Sequence, residues 1–394
     1  MRLVVDAAVA IRAAAASLAQ FAALSWPERA MPCHTTIRSW LLRIGLYALT
    51  RPLDRRQLWL WLIDHTVQIG TVKLLVILGC PLAQVPFGKR ALRMSDLSLV
   101  AMVPMEQSNG DLVERQLEVA ALRTGSPALI VSDQGSDLVK GITDYRVVRP
   151  GTAHVPDIAH YGANRLQHAW ENDPRWAEFG PQLQAASAKL RQSKAAHLMA
   201  PRVRTKARFM NVRTTLRFAE RMLKHLDGPS PSAKAVEHYG WLKGFRAELS
   251  VWFREHDLVQ TTIARLRVNG LHSATLPALE QAWGEVGDRA STVALVAGLR
   301  DYVVKYQPKE SGVTYVASTE VLESTFGKWK RIEGQQSQDG ITGLSLALGA
   351  TVGHWDEAET RRALEAVPEK KVASWIERNL GKTVQWFRSQ FFGK

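Results

Sequence analysis

Residues 58–64 read LWLWLID, residues 71–79 TVKLLVILG and residues 97–105 LSLVAMVPM. Each is a short apolar run between loops, the pattern of buried strands rather than of an amphipathic helix. Residues 109–125, NGDLVERQLEVAALRTG, set Leu112, Leu117, Ala120 and Ala121 between charges and suit a helix beginning near Asp111. PALIVSD (127–133) is a fourth strand, GSDLVKGI (135–142) a short helix, and HVPDIAH (154–160) a fifth strand or its exit. Three consecutive strands form a meander, while strands alternating with helices pair in parallel. The order therefore predicts an α/β fold, a mixed five-stranded sheet with helices on its faces.

Outward from this core the texture is helical. Residues 2–24 predict one Ala-rich helix with Leu3, Val4, Ala7, Ala8 and Ile11 on a stripe. Asp6 and Arg12 interrupt the apolar stretch that a secretory signal needs. A second helix follows in TTIRSWLLRIGL, capped by Thr35 or Thr36 and stopped at Gly45, with Arg38 and Arg43 outward. The pair reads either as a helix-turn-helix or as a plain helical hairpin. After His160 strand texture disappears for about 150 residues and no repeat of fixed period is found. The expected regions are 1–56 (helical, helix-turn-helix-like), 57–165 (first part of the sheet domain), 166–314 (a large all-helical basic insertion) and 315–394 (second part and C-terminal helices).

Composition narrows the function. The formal net charge is +14 on 394 residues, which folding does not require and which points to a polyanionic partner. The most apolar run, 72–85, contains Lys73 and Pro81 and falls short of the ~20 residues of a spanning helix, so no membrane is expected. Ten Lys or Arg fall between Arg191 and Lys224 against the single acid Glu220. The densest group is Arg202, Arg204, Lys206 and Arg208, expected to track phosphates along an extended segment. Two cysteines, Cys33 and Cys80, build no disulfide scaffold or four-thiolate zinc site and are expected to be buried apolar residues. Trp241, Trp252 and Trp283 are expected in a core. No Walker loop, G-x-S-x-G, H-E-x-x-H or dinucleotide fingerprint is present.

Two carboxylates stand out. Asp64 ends LWLWLID and Asp133 ends ALIVSD. An ionised carboxylate beside a buried strand is costly unless it is paired or binds a metal. Two on neighbouring strands suit a hard divalent ion such as Mg²⁺.

This strand–helix order with these two acids resembles the ribonuclease-H-like catalytic core of DDE-type insertion-sequence transposases, with Asp64 as first acid and Asp133 as second. The resemblance covers about residues 58–165 and 315–335. DIAH places Asp157 and His160 in a D-x-x-H, similar to an element that several transposase clades carry, and implies a supporting pair behind the metal ligands. In STEVLESTFGKWK, Glu323 is followed seven residues later by Lys330, which matches the E-x6-K half of the family signature. Seven residues are about two helical turns, so both face the same way. The signature also expects an Arg and a Tyr where Thr319 and Val316 stand, so Glu320 remains a competitor for the third acid.

The resemblance implies two Mg²⁺ (or Mn²⁺) ions held by Asp64, Asp133 and Glu323, and a phosphate contact at Lys330. It implies DNA as partner, at transposon ends and target duplex, and a homo-oligomer that is at least a dimer. The expected location is cytoplasmic, at the nucleoid when bound to DNA. Two other readings stay open: an inactive or domesticated DNA-binding derivative, and a ribonuclease-H-like nuclease that cuts without joining.

Overall fold

The computed structural model describes residues 2–26, 28, 30–67, 72–202, 209, 211–333, 341–380 and 384–392. The chain opens with α1 (Arg2–Val5), α2 (Ile11–Ser25) and α3 (His34–Thr50). Then come β1 (Trp59–Val67), β2 (Lys73–Pro81), β3 (Ser98–Met105), α4 (Gly110–Thr124), β4 (Leu129–Ser132), α5 (Ser136–Val148) and β5 (Ala153–Pro156). Helices α6 (Ile158–Trp170), α7 (Pro174–Leu190), α8 (Val212–Leu226), α9 (Ala233–Tyr239), α10 (Arg246–Asn269), α11 (Thr275–Trp283) and α12 (Ala290–Tyr306) follow. The chain closes with α13 (Glu320–Glu333), α14 (Ala347–Ala350), α15 (Glu357–Ala366), α16 (Glu369–Leu380) and α17 (Val384–Phe392).

Two compact units result. One joins residues 1–156 to 319–394, and the other is 157–318. The boundaries therefore fall at 156/157 and 318/319 rather than at 165/166 and 314/315, and residues 1–56 belong to the unit of the sheet.

In the first unit the strand order is β3-β2-β1-β4-β5. β1, β2 and β3 pair antiparallel, whereas β4 lies parallel to β1 and β5 parallel to β4. This is the mixed five-stranded, ribonuclease-H-like arrangement that the sequence predicted. Trp59, Trp61, Ile63, Leu75, Ile77 and Ile130 pack on one face with Val113 and Leu117 of α4 and Leu138, Ile142 and Tyr145 of α5. Alternation then sends Leu60, Leu62, Leu74 and Val76 to the other face, and all four are fully buried.

Helix α3 packs on β3, α14, α15 and α16. It is thus a core helix of this unit and not the reading helix of an independent helix-turn-helix. Gly45 does not stop it. A Cβ there would stand 1.8 Å from the Leu346 carbonyl oxygen, so glycine serves the close approach of the chain just before α14. Gly45→Ala is expected to lower stability by about 1–3 kcal/mol or more through overpacking. The urea midpoint checks this, and an unchanged midpoint contradicts the close approach. The single helix expected over 2–24 is also broken, because Ala8 adopts φ +50°, a left-handed backbone that L residues disfavour.

Among its described residues the second unit has helices and one isolated bridge, between Leu271 and Tyr315. Its core gathers Trp170, Trp176, Phe179 and Trp252, with Trp170–Trp176 ring centroids 4.7 Å apart and Trp176–Trp252 4.8 Å. Trp252 and Trp283 are buried as expected. The fully buried Glu255 carboxylate accepts from the Trp170 indole N–H and from the Ser291 and Thr292 hydroxyls. A buried carboxylate tolerates such a place only with donors of this kind.

Candidate active site

The parallel pairing of β1 with β4 sets Ile63 opposite Ser132. One step further along both strands stand Asp64, inside β1, and Asp133, the first residue after β4. Ile63 and Ile130 point into the core beneath α4 and α5. By alternation Asp64 stands on the opposite face, and Asp133 follows directly on the neighbouring strand. Helix α13 packs against β1, and since the first face is filled by α4 and α5, it does so on that same side.

Both aspartates are half-buried. Asp64 Oδ1 accepts from the backbone N–H of His65 at 2.6 Å, and Asp133 Oδ1 from that of Gly135 at 3.0 Å. These local bonds fix each carboxylate near its own strand end. By donor chemistry the pair fits a hard divalent cation. Among the described residues no group of three or more His, Cys, Asp or Glu side chains is placed to hold a metal ion.

Glu320 and Glu323 both lie in the first turn of α13, where the helix dipole favours carboxylates. Both are half-buried, whereas Lys330 is exposed two turns on. Leu322, Phe326, Trp329 and Ile332 form the buried stripe that seats the helix. Thr319 is 1% exposed and Val316 7%, so the positions where the family signature has Arg and Tyr hold small buried side chains.

Asp157 and His160 meet each other at the start of α6. Asp157 caps α6, its Oδ2 accepting the His160 backbone N–H at 2.8 Å and standing 3.0 Å from Nδ1 of the same residue.

A polar network gathers at the end of the sheet from β1, β2, the loop before α4 and the first turn of α5. Ser108 donates its hydroxyl to Asp137 Oδ2 at 2.5 Å, and Lys73 Nζ reaches the same oxygen at 3.4 Å. His65 Nε2 is 3.2 Å from Ser108 Oγ, and its Nδ1 is 3.7 Å from Asp137 Oδ2. Burial depresses the His65 pKa below the ordinary histidine value, against the pull of Asp137. Burial works to raise the Asp137 pKa, but the Ser108 hydroxyl, His65 and Lys73 hold it below the usual carboxylate value. One signal was available: a residue four positions past Asp133, in the first turn of a helix, returns towards the strand end. Nothing in the sequence pointed to Lys73 or Ser108.

The expected DNA contacts divide. Arg43 is spent inside the fold, donating to the carbonyls of Val367 (2.6 Å) and Leu364, which corrects its expected outward role. Arg38 and Arg202 are exposed. Arg204, Lys206 and Arg208 lie outside the described residues. The C-terminal part of the basic stretch is α8. Val212, Leu216, Ala219, Met222, Leu223 and Leu226 face inward, while Arg213, Arg217, Arg221 and Lys224 are exposed. Among the described residues none of these four cations has an ion-pair partner within 4.0 Å. Their field reaches the buried His256, whose pKa is lowered first by burial and then, against the neighbouring Asp257, by Arg213 and Arg217.

The cysteines also divide. Cys80 is buried as expected, and burial pushes its thiol up to about 12. Cys33 is exposed, contrary to expectation, and hydrogen bonds with the Thr35 and Thr36 side chains bring its thiol down to about 6.

Among the described residues no helix is long and apolar enough to cross a membrane. No protein-family model matches the chain, and no curated protein matches it. Among solved structures it is similar to the Drosophila P element transposase strand transfer complex, at 12% identity over 89% of this chain and 91% of that chain, with a TM-score of 0.41. The ribonuclease-H-like class rests on the strand order and pairing above, not on that likeness.

Proposed function

We propose that this chain is a DDE-type transposase that cleaves DNA at transposon ends and joins them to a target duplex, using divalent metal. The observation that supports this most is the parallel register of β1 and β4, in which Ile63 pairs with Ser132, so that Asp64 and Asp133 are each the next residue along neighbouring strands. In this reading both hold Mg²⁺ or Mn²⁺, with Glu323 as the third acid and Glu320 its competitor. The ions, when bound, stabilise the attacking and leaving oxygens of an in-line phosphoryl displacement. Water is the first nucleophile and the freed 3′-hydroxyl the second, so no nucleophilic side chain is required.

The chain's own residues supply orientation and charge. The Gly135 N–H holds the Asp133 carboxylate, and the His65 N–H that of Asp64. Lys330 and Arg202 are proposed phosphate contacts. The α8 ridge adds Arg213, Arg217 and Arg221, spaced about 6 Å along the helix axis. A membrane surface suits this helix less than DNA, because Val212, Leu216, Met222, Leu223 and Leu226 are buried in the core and Phe218 is half-buried. Pairing of two transposon ends makes the working form at least a dimer in this proposal. The test is metal-dependent nicking of duplex DNA by the wild type and by Asp64→Asn and Asp133→Asn variants.

A further inference from the structure

A short turn connects Asp133 to a second carboxylate, Asp137. Both close on Gly135, where a Cβ would stand 3.2 Å from Oδ1 of each, so these two oxygens are no more than twice that distance apart. Like charges so near each other repel, and an unrestrained Asp137 would disturb Asp133 or compete with it for a cation. Asp137 is restrained from three separate segments. Lys73 opens β2, Ser108 precedes α4, and His65 lies in β1. The hydroxyl of Ser108 and the ammonium of Lys73 bind one oxygen of Asp137, and the His65 ring closes the group.

We propose that Lys73, Ser108 and His65 clamp Asp137 so that the turn 133–137 is fixed and the Asp133 carboxylate is aimed at its metal. These are positioning residues, and the inference rests on the reading of Asp133 as a metal ligand. A purely structural role is a weak alternative. The Lys73–Asp137 pair is long at 3.4 Å and the lysine side chain is 37% exposed. An ion pair this long with an exposed ammonium adds little to stability. Groups that orient metal ligands, by contrast, typically change metal affinity or activity by about 10–100-fold when removed.

The test is a titration of the full-length protein with Mn²⁺ alone, without DNA, followed by calorimetry and by the electron paramagnetic resonance of free Mn²⁺. Asp137→Asn and Lys73→Met are each expected to weaken Mn²⁺ binding by about 10–100-fold, with the thermal midpoint close to wild type. Lys73→Arg restores most of the affinity because it keeps the charge. Ser108→Ala acts in the same direction and keeps the test decisive should a charge variant fold poorly. Wild-type affinity in folded Lys73→Met and Ser108→Ala overturns the clamp. Asp133→Asn in the same titration separates the two ideas. If it loses binding while the clamp variants do not, the metal reading stands and the clamp falls, and if it binds like wild type both fall.

Discussion

Asp64→Asn and Asp133→Asn are each expected to cut metal-dependent nicking of duplex DNA by about 1000-fold or more. Metal stabilisation of charge in phosphoryl transfer amounts to several kcal/mol, and each ~1.4 kcal/mol is a factor of ten. Asn keeps the shape of Asp and a carbonyl oxygen, so residue 133 can still accept the Gly135 N–H and the turn survives. The loss should therefore fall on catalysis, with the thermal midpoint and DNA affinity little changed. Nicking is read on supercoiled plasmid with and without Mg²⁺. Near-wild-type rates in either variant contradict the proposal. A wild-type chain that binds DNA without cutting favours the inactive DNA-binding reading, and one that cuts without ever joining favours the nuclease reading.

The second large effect is expected on α8. Each phosphate neutralised on duplex DNA contributes about 0.9 to the slope of log affinity against log salt, so replacing Arg213, Arg217 and Arg221 together by Ala should lower that slope by about 2.7. The fold is not put at risk. Arg213–Arg217 and Arg217–Arg221 are like-charge i,i+4 pairs that destabilise a helix by about 0.2–0.5 kcal/mol each, and Ala is the better helix former. Binding of a duplex followed by fluorescence anisotropy over a salt series reads the slope. An unchanged slope removes α8 from the DNA-binding surface.

Much of the fold was legible because it rests on local patterns. The apolar runs before Asp64 and Asp133 mark two strands, although β1 continues past Asp64 to Val67, and the spacing of strands and helices gives their order. What was not legible depends on contacts distant in sequence. Gly45 has the chemistry of a helix stop, yet a chain segment three hundred residues away crosses it and the helix runs to Thr50. Arg43 reads as a surface cation, but its donors meet two carbonyls beyond residue 360. Ala8 carries no sequence signal for a left-handed backbone. The same limit applies at the site. Asp64 and Asp133 follow from the pattern, whereas the Lys73–Ser108–Asp137 network needs β2 and the loop before α4 to meet at one strand end. The basic charge was visible in the sequence, but the ridge at 213, 217 and 221 takes its meaning from the buried face that turns those arginines outward.

Asp64 within β1 and Asp133 just after β4 are proposed to form a metal site. Crystals of the wild-type chain soaked in Mn²⁺ test it most directly through anomalous scattering. The account predicts a peak bridging the Asp64 and Asp133 carboxylates, with Glu323 or Glu320 from α13 as a further ligand. Full Mn²⁺ occupancy elsewhere with no peak between those two aspartates would contradict it.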